Sequence, residues 1–398
     1  MQEEPIKILL VLPFLYPHRG GSQKYAEEIF VRIMKNHSNV KVDVLCYNTD
    51  KVKTFEEYRG FRIYRVPCWN VIPARFALAD PFALICKLKQ LSANKYDFVN
   101  THIRFFDPTW WIWLYAKIIH AKSIFTGHVA THPVHQNKIV EFIAKVVDLT
   151  IAKVSLKFYD YILFTNKTAQ KFFQDKLGVK KKSTVVYGGV DTTFFIPTIN
   201  PEERIIPNTN ILVDQNITLI TYVGRMIWTK GVTYFLDAAL NILKSLNNTN
   251  VIFVLAGPGE LENQLRKQIE EAGLSKKIIM TGDLSYDQVR KLMTISDIFV
   301  SPSHHNEGFP NTVLEAGSSG CYVIATDNAG TWEVIENGKT GALIPQKDLE
   351  SLTKAILWAV ENPDKRKEIA INLRQKLVEE FDWNKISEQL YQLLLEKA

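Results

Sequence analysis

SPSHHNEGFPNTVLEAGSSG, Ser301 to Gly320, carries two glutamates, Glu307 and Glu315, with seven residues between them. A strand-like run, Asp297–Val300 (DIFV), leads in, and Gly308, Phe309, Pro310 and Asn311 turn the chain towards a helix. Proline suits the first helical position, where its fixed φ fits and its missing N–H is not needed. The pattern therefore predicts Glu307 in the loop and Glu315 about one turn inside the helix. Between them lie the backbone N–H groups of Asn311, Thr312 and Val313, and unpaired N–H groups at a helix start form an anion site. A carboxylate before that site and one after it are placed to grip hydroxyls on either side of a bound diphosphate, the shape of a sugar-nucleotide site. Two glutamates at this spacing also arise by chance; a buried strand, a Ser-Pro-Ser loop, a Gly-Phe-Pro-Asn turn and a Gly-rich helix end make the functional reading the stronger one.

The same strand–loop–helix unit recurs along the 398 residues. Lys7–Pro13 (KILLVLP) is a continuous apolar run of buried-strand type, followed by Gly20-Gly21-Ser22 and a helical stretch, Gln23–Met34. Further strands are expected at Val42–Tyr47, Phe98–His102, Ser123–His128, Tyr161–Asn166 and Thr184–Tyr187. Trp110–Ile119 (WWIWLYAKII) is apolar but short, and reads as a buried crossover helix rather than a membrane anchor. Residues 196–215 are rich in Pro, Asn and Thr and lack periodicity, which marks a linker. Alternation then restarts, with strands at Thr218–Val223, Val251–Ala256, Ile278–Thr281, Asp297–Val300, Cys321–Thr326 and Gly341–Ile344, and helices at Val232–Lys244, Leu261–Ala272 and Tyr286–Ile295. The expected fold is α/β, two doubly wound Rossmann-like domains facing a cleft, because such alternation builds mostly parallel sheets with helices on both faces. Ligands of such folds bind at the carboxyl ends of the strands. The domains are expected over 1–196 and 197–380, with 381–398 as a terminal helix.

Composition narrows the functional class. No run reaches the roughly 18 apolar residues a membrane span needs. MQEEPIKILLVLP has no basic n-region, so no signal peptide is expected. The four cysteines show no paired spacing, which disfavours a metal or disulfide framework. These features point to the cytoplasm. Residues 1–196 hold 28 Lys+Arg against 16 Asp+Glu, while residues 197–398 hold 20 against 26. A basic first half suits an anionic membrane surface or an anionic acceptor, although a solvated lysine-rich surface explains it as well. No nucleic-acid motif accompanies the charge, so nucleic acid is not an expected partner.

Val223-Gly224-Arg225 ends the first strand of the second half, and Lys230-Gly231 opens the next helix. A guanidinium fork and an ammonium at that junction are suited to clamp a diphosphate and stabilise a leaving charge. With Glu307 and Glu315, this G-R-x(4)-K-G closely resembles the signature of retaining glycosyltransferases of family 4, strongly over residues 218–345, moderately over 1–34 and 120–195, and weakly over 48–95. The resemblance implies a two-lobed glycosyltransferase B-type fold whose final helix, here Trp383–Leu395, crosses back to the first domain. It implies that Arg225 and Lys230 hold the diphosphate, that Glu315 holds the ribose and Glu307 the donor sugar, and that Gly308, Phe309, Asn311, Thr312 and Val313 line the donor. It further implies that Gly20 and Gly21 pack their backbone against phosphates and sugar, that Gly282 marks the edge that binds the base, and that His128 stands near the reacting sugar. Gly257-Pro258-Gly259-Glu260 resembles the family's G-x-G-E turn and reads as mainly structural. There are departures: Gly188-Gly189-Val190-Asp191 lacks the family's Asn, and Ala329-Gly330 with Trp332-Glu333 replaces Gly-Gly and Pro-Glu.

The implied activity is transfer of a sugar from a nucleoside-diphosphate sugar, UDP-linked first and GDP-mannose next, to an acceptor hydroxyl on a glycan or a lipid-linked saccharide, in glycolipid or polysaccharide synthesis, at or near the inner face of the plasma membrane. No D-x-D motif is present, so the cations are expected to replace a divalent metal, and no cofactor is expected. His132 and His135 stand at i+4 and i+7 from His128, spacings that would suit a helix face, but Pro133 argues against a helix there and so against metal ligation. Rival readings are a nucleotide-sugar epimerase of the same fold, a phosphorylase, or a non-catalytic nucleotide-sugar binder. A nicotinamide dehydrogenase is disfavoured, because no G-x-G-x-x-G follows Lys7–Pro13.

Overall fold

The computed structural model describes residues 5–17, 20–72, 76–132, 138–197, 203–245, 250–304, 308–328 and 330–397. Glu307 lies outside the described residues, as do Pro133, His135 and Ala329. The chain divides into two compact units: Met1–Gly188 with Trp383–Ala398, and Gly189–Asp382.

The first unit contains β1 (Ile6–Val11), β2 (Val40–Tyr47), β3 (Phe55–Tyr58), β4 (Phe61–Val66), β5 (Cys68–Ile72), β6 (Phe76–Ala79), β7 (Phe98–His102), β8 (Lys122–Gly127), β9 (Tyr161–Phe164) and β10 (Ser183–Val185). Its main sheet runs β10-β9-β8-β7-β1-β2-β4-β3, parallel except for the β3–β4 hairpin. Period-two alternation splits the apolar strands between two cores. Leu9, Val11, Leu45, Val99 and Phe125 point to one face; Ile8, Leu10, Val44, Phe98 and Ile124 point to the other. Both faces are buried, which is why these strands read as unbroken apolar runs. The helix Gly21–Asn36 covers the second face with Tyr25, Ala26, Ile29, Phe30 and Ile33, and the helix Trp383–Leu395 adds Trp383, Ile386, Leu390, Tyr391 and Leu394 to the same core. The short strands β3 to β6 have no counterpart in the sequence reading.

The second unit contains β11 (Thr218–Val223), β12 (Val251–Ala256), β13 (Ile278–Gly282), β14 (Ile298–Ser301), β15 (Tyr322–Thr326) and β16 (Ala342–Ile344). All are parallel, in the order β13-β12-β11-β14-β15-β16. The order reverses at β11, whose neighbours are β12 and β14, so the gap between β11 and β14 is the topological switch point.

Three expectations need correction. The segment read as a linker is pinned to the second unit at three points: Ile206 and Val213 are buried with Leu219 and Leu292, and the Arg204 guanidinium donates to the carbonyls of Ile217 and Ile295 at 2.9 Å each and to Asp297 at 2.7 Å. Trp110–Ile119 is only half a core helix. Its helical part, Ile112–Ile118, buries Ile112, Tyr115 and Ala116 and leaves Leu114 and Ile118 exposed. The helix after β14 starts at Asn311, and Pro310 is its cap, because the Pro310 carbonyl already accepts from the N–H of Val313 at 3.1 Å and of Leu314 at 3.2 Å.

Candidate active site

Two loops flank the switch point of the second unit. The loop after β11 carries Arg225 and Lys230, and the loop after β14 leads into the helix Asn311–Ser318. They are bonded to each other: the Thr229 carbonyl accepts from the His304 N–H at 3.2 Å and from Ser303 Oγ at 3.1 Å. Gly231 sits at φ +68°, and a Cβ there would collide with the Pro302 carbonyl, so only glycine lets the loops approach this closely. Asn328 Nδ2 donates to the Ser303 carbonyl at 3.1 Å, and Thr326 Oγ1 reaches the same oxygen. The Arg225 side chain is exposed, with no hydrogen bond or ion pair among the described residues, and Lys230 is half-buried. The exposed Arg225 and the half-buried Lys230 thus stand on the loop bonded to the one that leads into the helix of Glu315.

The turn Gly257-Pro258-Gly259 supports the first of these loops. Gly224 N–H donates to the Ala256 carbonyl and Met226 N–H to the Pro258 carbonyl, at 2.9 and 2.8 Å. A Cβ at Gly259 would collide with the Met226 backbone, which makes the turn structural, as its sequence suggests. Gly282 ends β13 at φ +70°, and its carbonyl accepts from Gly257 N–H at 2.8 Å.

The helix start is a leaner anion site than three consecutive N–H groups. Asn311 N–H donates to the Phe309 carbonyl at 3.0 Å and Val313 N–H to the Pro310 carbonyl. That leaves Thr312 N–H without an acceptor among the described residues. Glu315 is buried on this helix. The helix is held in place at its far end, where Ser318 Oγ donates to the Phe195 carbonyl at 2.7 Å and the Arg374 guanidinium donates to the carbonyls of Phe195 and Ser318 at 2.8 Å each. Phe309 stacks on Phe381 with centroids 5.7 Å apart, which fixes the turn before the helix.

In the first unit, Gly20 precedes the helix Gly21–Asn36 in extended conformation, and its carbonyl accepts from Lys24 N–H at 2.9 Å. His128 follows β8 directly and is half-buried. Its Nε2 lies 2.8 Å from His102 Nδ1, and His102 Nε2 lies 2.8 Å from Asn100 Oδ1. The register β7–β8 pairs His102 with Thr126, which brings the two rings to the same end of the sheet. Asn100 Nδ2 donates to the Ile124 carbonyl and to Thr126 Oγ1, each at 3.1 Å. A carbonyl only accepts, so Oδ1 must face His102, and His102 Nε2 must carry a hydrogen. Burial pushes the pKa of His102 well below the usual histidine range and that of His128 to about 3, so both are neutral near pH 7. A neutral ring has one N–H. His102 Nδ1 is therefore bare and accepts from His128 Nε2, and His128 Nδ1 keeps its lone pair. Sequence reasoning singled out His128 alone. The available signal for Asn100 and His102 was polar residues at alternate positions near the end of a buried strand. His132 Nδ1 donates to Asp148 Oδ2, 2.7 Å away, and is engaged structurally.

Residues 19–194 match the family described as Glycosyltransferase Family 4, and residues 203–376 match Glycosyl transferases group 1. The chain is thus a family 4-like glycosyltransferase. It is 25% identical to an uncharacterized glycosyltransferase of Methanocaldococcus jannaschii over 387 residues, covering 96% of each chain. It is likewise 25% identical to the UDP-Gal:alpha-D-GlcNAc-diphosphoundecaprenol alpha-1,3-galactosyltransferase of Escherichia coli, covering 96% of this chain and 95% of that one. The fold matches HepE of Anabaena, solved in complex with UDP, with a TM-score of 0.76 at 18% identity, covering 98% of this chain and 100% of that one. The two units are Rossmann-like domains of the glycosyltransferase B type.

Proposed function

We propose that this glycosyltransferase moves a hexose from a UDP-sugar to a hydroxyl of a lipid-linked saccharide, with retention at the anomeric carbon and without a metal ion. One observation carries the reading: the loop of Arg225 and Lys230 and the loop leading to Glu315 are bonded together at the strand-order reversal between β11 and β14, where folds of this kind bind nucleotides. Arg225, Lys230 and the Thr312 N–H neutralise the diphosphate, Glu315 accepts from ribose hydroxyls, and Glu307 accepts from those of the sugar. The bond from the anomeric carbon to the phosphate oxygen breaks while the acceptor oxygen attacks the same face. The acceptor's proton passes to the departing phosphate, so charge balances without a covalent enzyme intermediate. The bare Nδ1 of His128 accepts a hydrogen from a substrate hydroxyl. UDP is favoured over GDP because the Escherichia coli relative is named for UDP-Gal and HepE is solved with UDP. The acceptor class follows from the diphosphoundecaprenol in that relative's name and in the name of the Campylobacter jejuni relative, 28% identical over 61% of this chain. Such an acceptor favours work at the cytoplasmic membrane surface.

The test is turnover of UDP- and GDP-linked hexoses with a diphosphate-lipid saccharide, in excess chelator, with the anomeric configuration of the product read by NMR. Retained configuration and persistent activity with a UDP-sugar are expected. An inverted product, a GDP-sugar preference, or a loss of activity restored by Mg²⁺ or Mn²⁺ would each remove the corresponding part.

A further inference from the structure

The helix Lys138–Val147 buries none of its side chains, although much of it is apolar. Ile139 is 70% exposed, Phe142 68%, Ile143 56% and Val146 44%. The spacing i, i+3, i+4, i+7 sets these four on one stripe. The helical path continues through a π turn at Asp148–Ala152 and short turns to Phe158, and Ile151, Val154 and Phe158 are exposed as well. The opposite side is anchored. Asp148 is fully buried, accepts from Arg104 Nε at 2.5 Å and bonds His132 at 2.7 Å, while Ala152, Ser155 and Leu156 are buried. Trp113 stacks on Phe158 with centroids 4.4 Å apart, tying in the helix Ile112–Ile118 with its exposed Leu114 and Ile118. A helix that turns such a stripe outward, continuous with a segment anchored at Asp148, Ala152, Ser155 and Leu156, marks an interaction surface rather than an ordinary solvated face.

The charges around the stripe select its partner. Lys138, Lys145 and Lys157 are exposed along the segment, and Lys117 lies beside Ile118. Of the two acids in the segment, Asp148 is buried and Glu141 is paired with Lys138 at 2.9 Å. Lysines at the edge of an apolar stripe lay their stems along it and lift their ammonium groups to the level of lipid headgroups. A second copy of this chain would bring the same lysines against one another, whereas anionic headgroups complement them. The net +12 of residues 1–196 acts in the same direction. We propose that the outward face of residues 138–158 docks on an anionic phospholipid bilayer, lying in the plane of the interface. The proposal deepens the reading of a lipid-linked acceptor given above and rests on it for its purpose.

The experiment is co-sedimentation of the full chain with phosphatidylcholine vesicles, with and without phosphatidylglycerol, for the parent and for Phe142→Asp/Ile143→Asp. Both side chains are exposed, so the variant should keep its circular dichroism, its UDP affinity and its transfer to the lipid-linked acceptor in detergent. The parent should favour the anionic vesicles and lose that preference as salt rises. The variant should partition at least about tenfold less. A parent indifferent to phosphatidylglycerol, or a variant that binds like the parent, overturns the proposal. So does a variant that loses self-association with vesicle binding unchanged, since that makes the face an interface between copies. Transfer in detergent separates the two readings: a parent that transfers yet does not sediment loses the docking surface alone, and one that sediments but leaves the acceptor untouched keeps the docking surface and loses the acceptor assignment.

Discussion

Glu315 and Glu307 are expected to divide the donor between them. A ribose is common to every nucleotide donor, so Glu315→Gln should weaken binding of both UDP and the UDP-sugar. Glu307→Gln should spare UDP and cut transfer. The expected gap in calorimetric titrations is about 1–3 kcal/mol, the range of a hydrogen bond to a charged group. The opposite pattern would reverse the donor in its site. The histidine pair supplies a second prediction. The folded state holds His102 and His128 neutral, with pKa values below the unfolded 6.5. The unfolded chain therefore binds more protons as pH falls through that value, so stability is intact above about pH 6.5 and declines below it by up to about 1.4 kcal/mol per pH unit for each ring. His102→Gln should flatten the denaturation midpoint's dependence on pH between 7 and 5. It should also shift the nitrogen resonances of the His128 ring, because Nε2 loses its fixed acceptor. An unchanged slope and unchanged resonances would show that the pair sets neither protonation nor tautomer. His128 entered through the family resemblance, whereas His102 did not enter at all, since its bond to His128 depends on a neighbouring strand's register that a single sequence does not display.

At the scale of elements, the contact between the loop of Arg225 and Lys230 and the loop after β14 is the sensitive feature. Arg225→Ala and Lys230→Ala should each lower kcat/KM by about 10²-fold or more, as for a lost oxyanion-type donor, with the melting temperature nearly unchanged for the exposed Arg225. Gly231→Ala makes a contrast. It forces a β-carbon into the left-handed region at a cost of about 1–2 kcal/mol and pushes Pro302 away, so it should lower both stability and activity. A Gly231→Ala protein with parental kinetics would mean that the loops need not touch. These elements also show what the sequence displays and what it hides. The buried strands of both sheets stand out, because apolar runs such as Thr218–Val223 and Val251–Ala256 leave no other reading, and Tyr286–Ile295 is bounded by a Ser285–Gln288 capping box. The strands β3 to β6 carry no such signal: β3 and β4 interleave charged residues, as in FEEY and FRIYRV, and β5 and β6 are only five and four residues long. The start of the helix after β14 was misplaced by one residue, since proline serves at a cap as well as in the first turn. The N–H groups of Asn311 and Val313 were counted as open because their acceptors, Phe309 and Pro310, are fixed only by the turn itself.

The whole molecule depends on a helix far from its partners in the chain. Trp383, Ile386, Leu390, Tyr391 and Leu394 complete the core on one face of the first sheet, and Tyr25 packs edge-on to both Trp383 and His128, at 5.7 and 5.1 Å. Each such side chain contributes about 1.5–3 kcal/mol when fully buried, so together they rival the roughly 5–15 kcal/mol that holds a domain folded. Removing residues 383–398 should therefore abolish protection from hydrogen exchange in β1, β2 and β7, while β11, β12 and β14 stay protected. Full protection of the first sheet in the shortened chain would contradict this.

That arrangement has a consequence for biosynthesis. Domains generally fold as units during translation, beginning at the amino end. Here the first unit leaves the ribosome with one face of its sheet only partly covered, and the helix that completes the cover emerges only after the second unit has been made. Until then Ile8, Leu10 and Val44 are shielded by the helix Gly21–Asn36 without its partner. The nascent first unit is thus the part of the chain most in need of a chaperone, and a premature stop near the end of the message is more damaging than its position suggests.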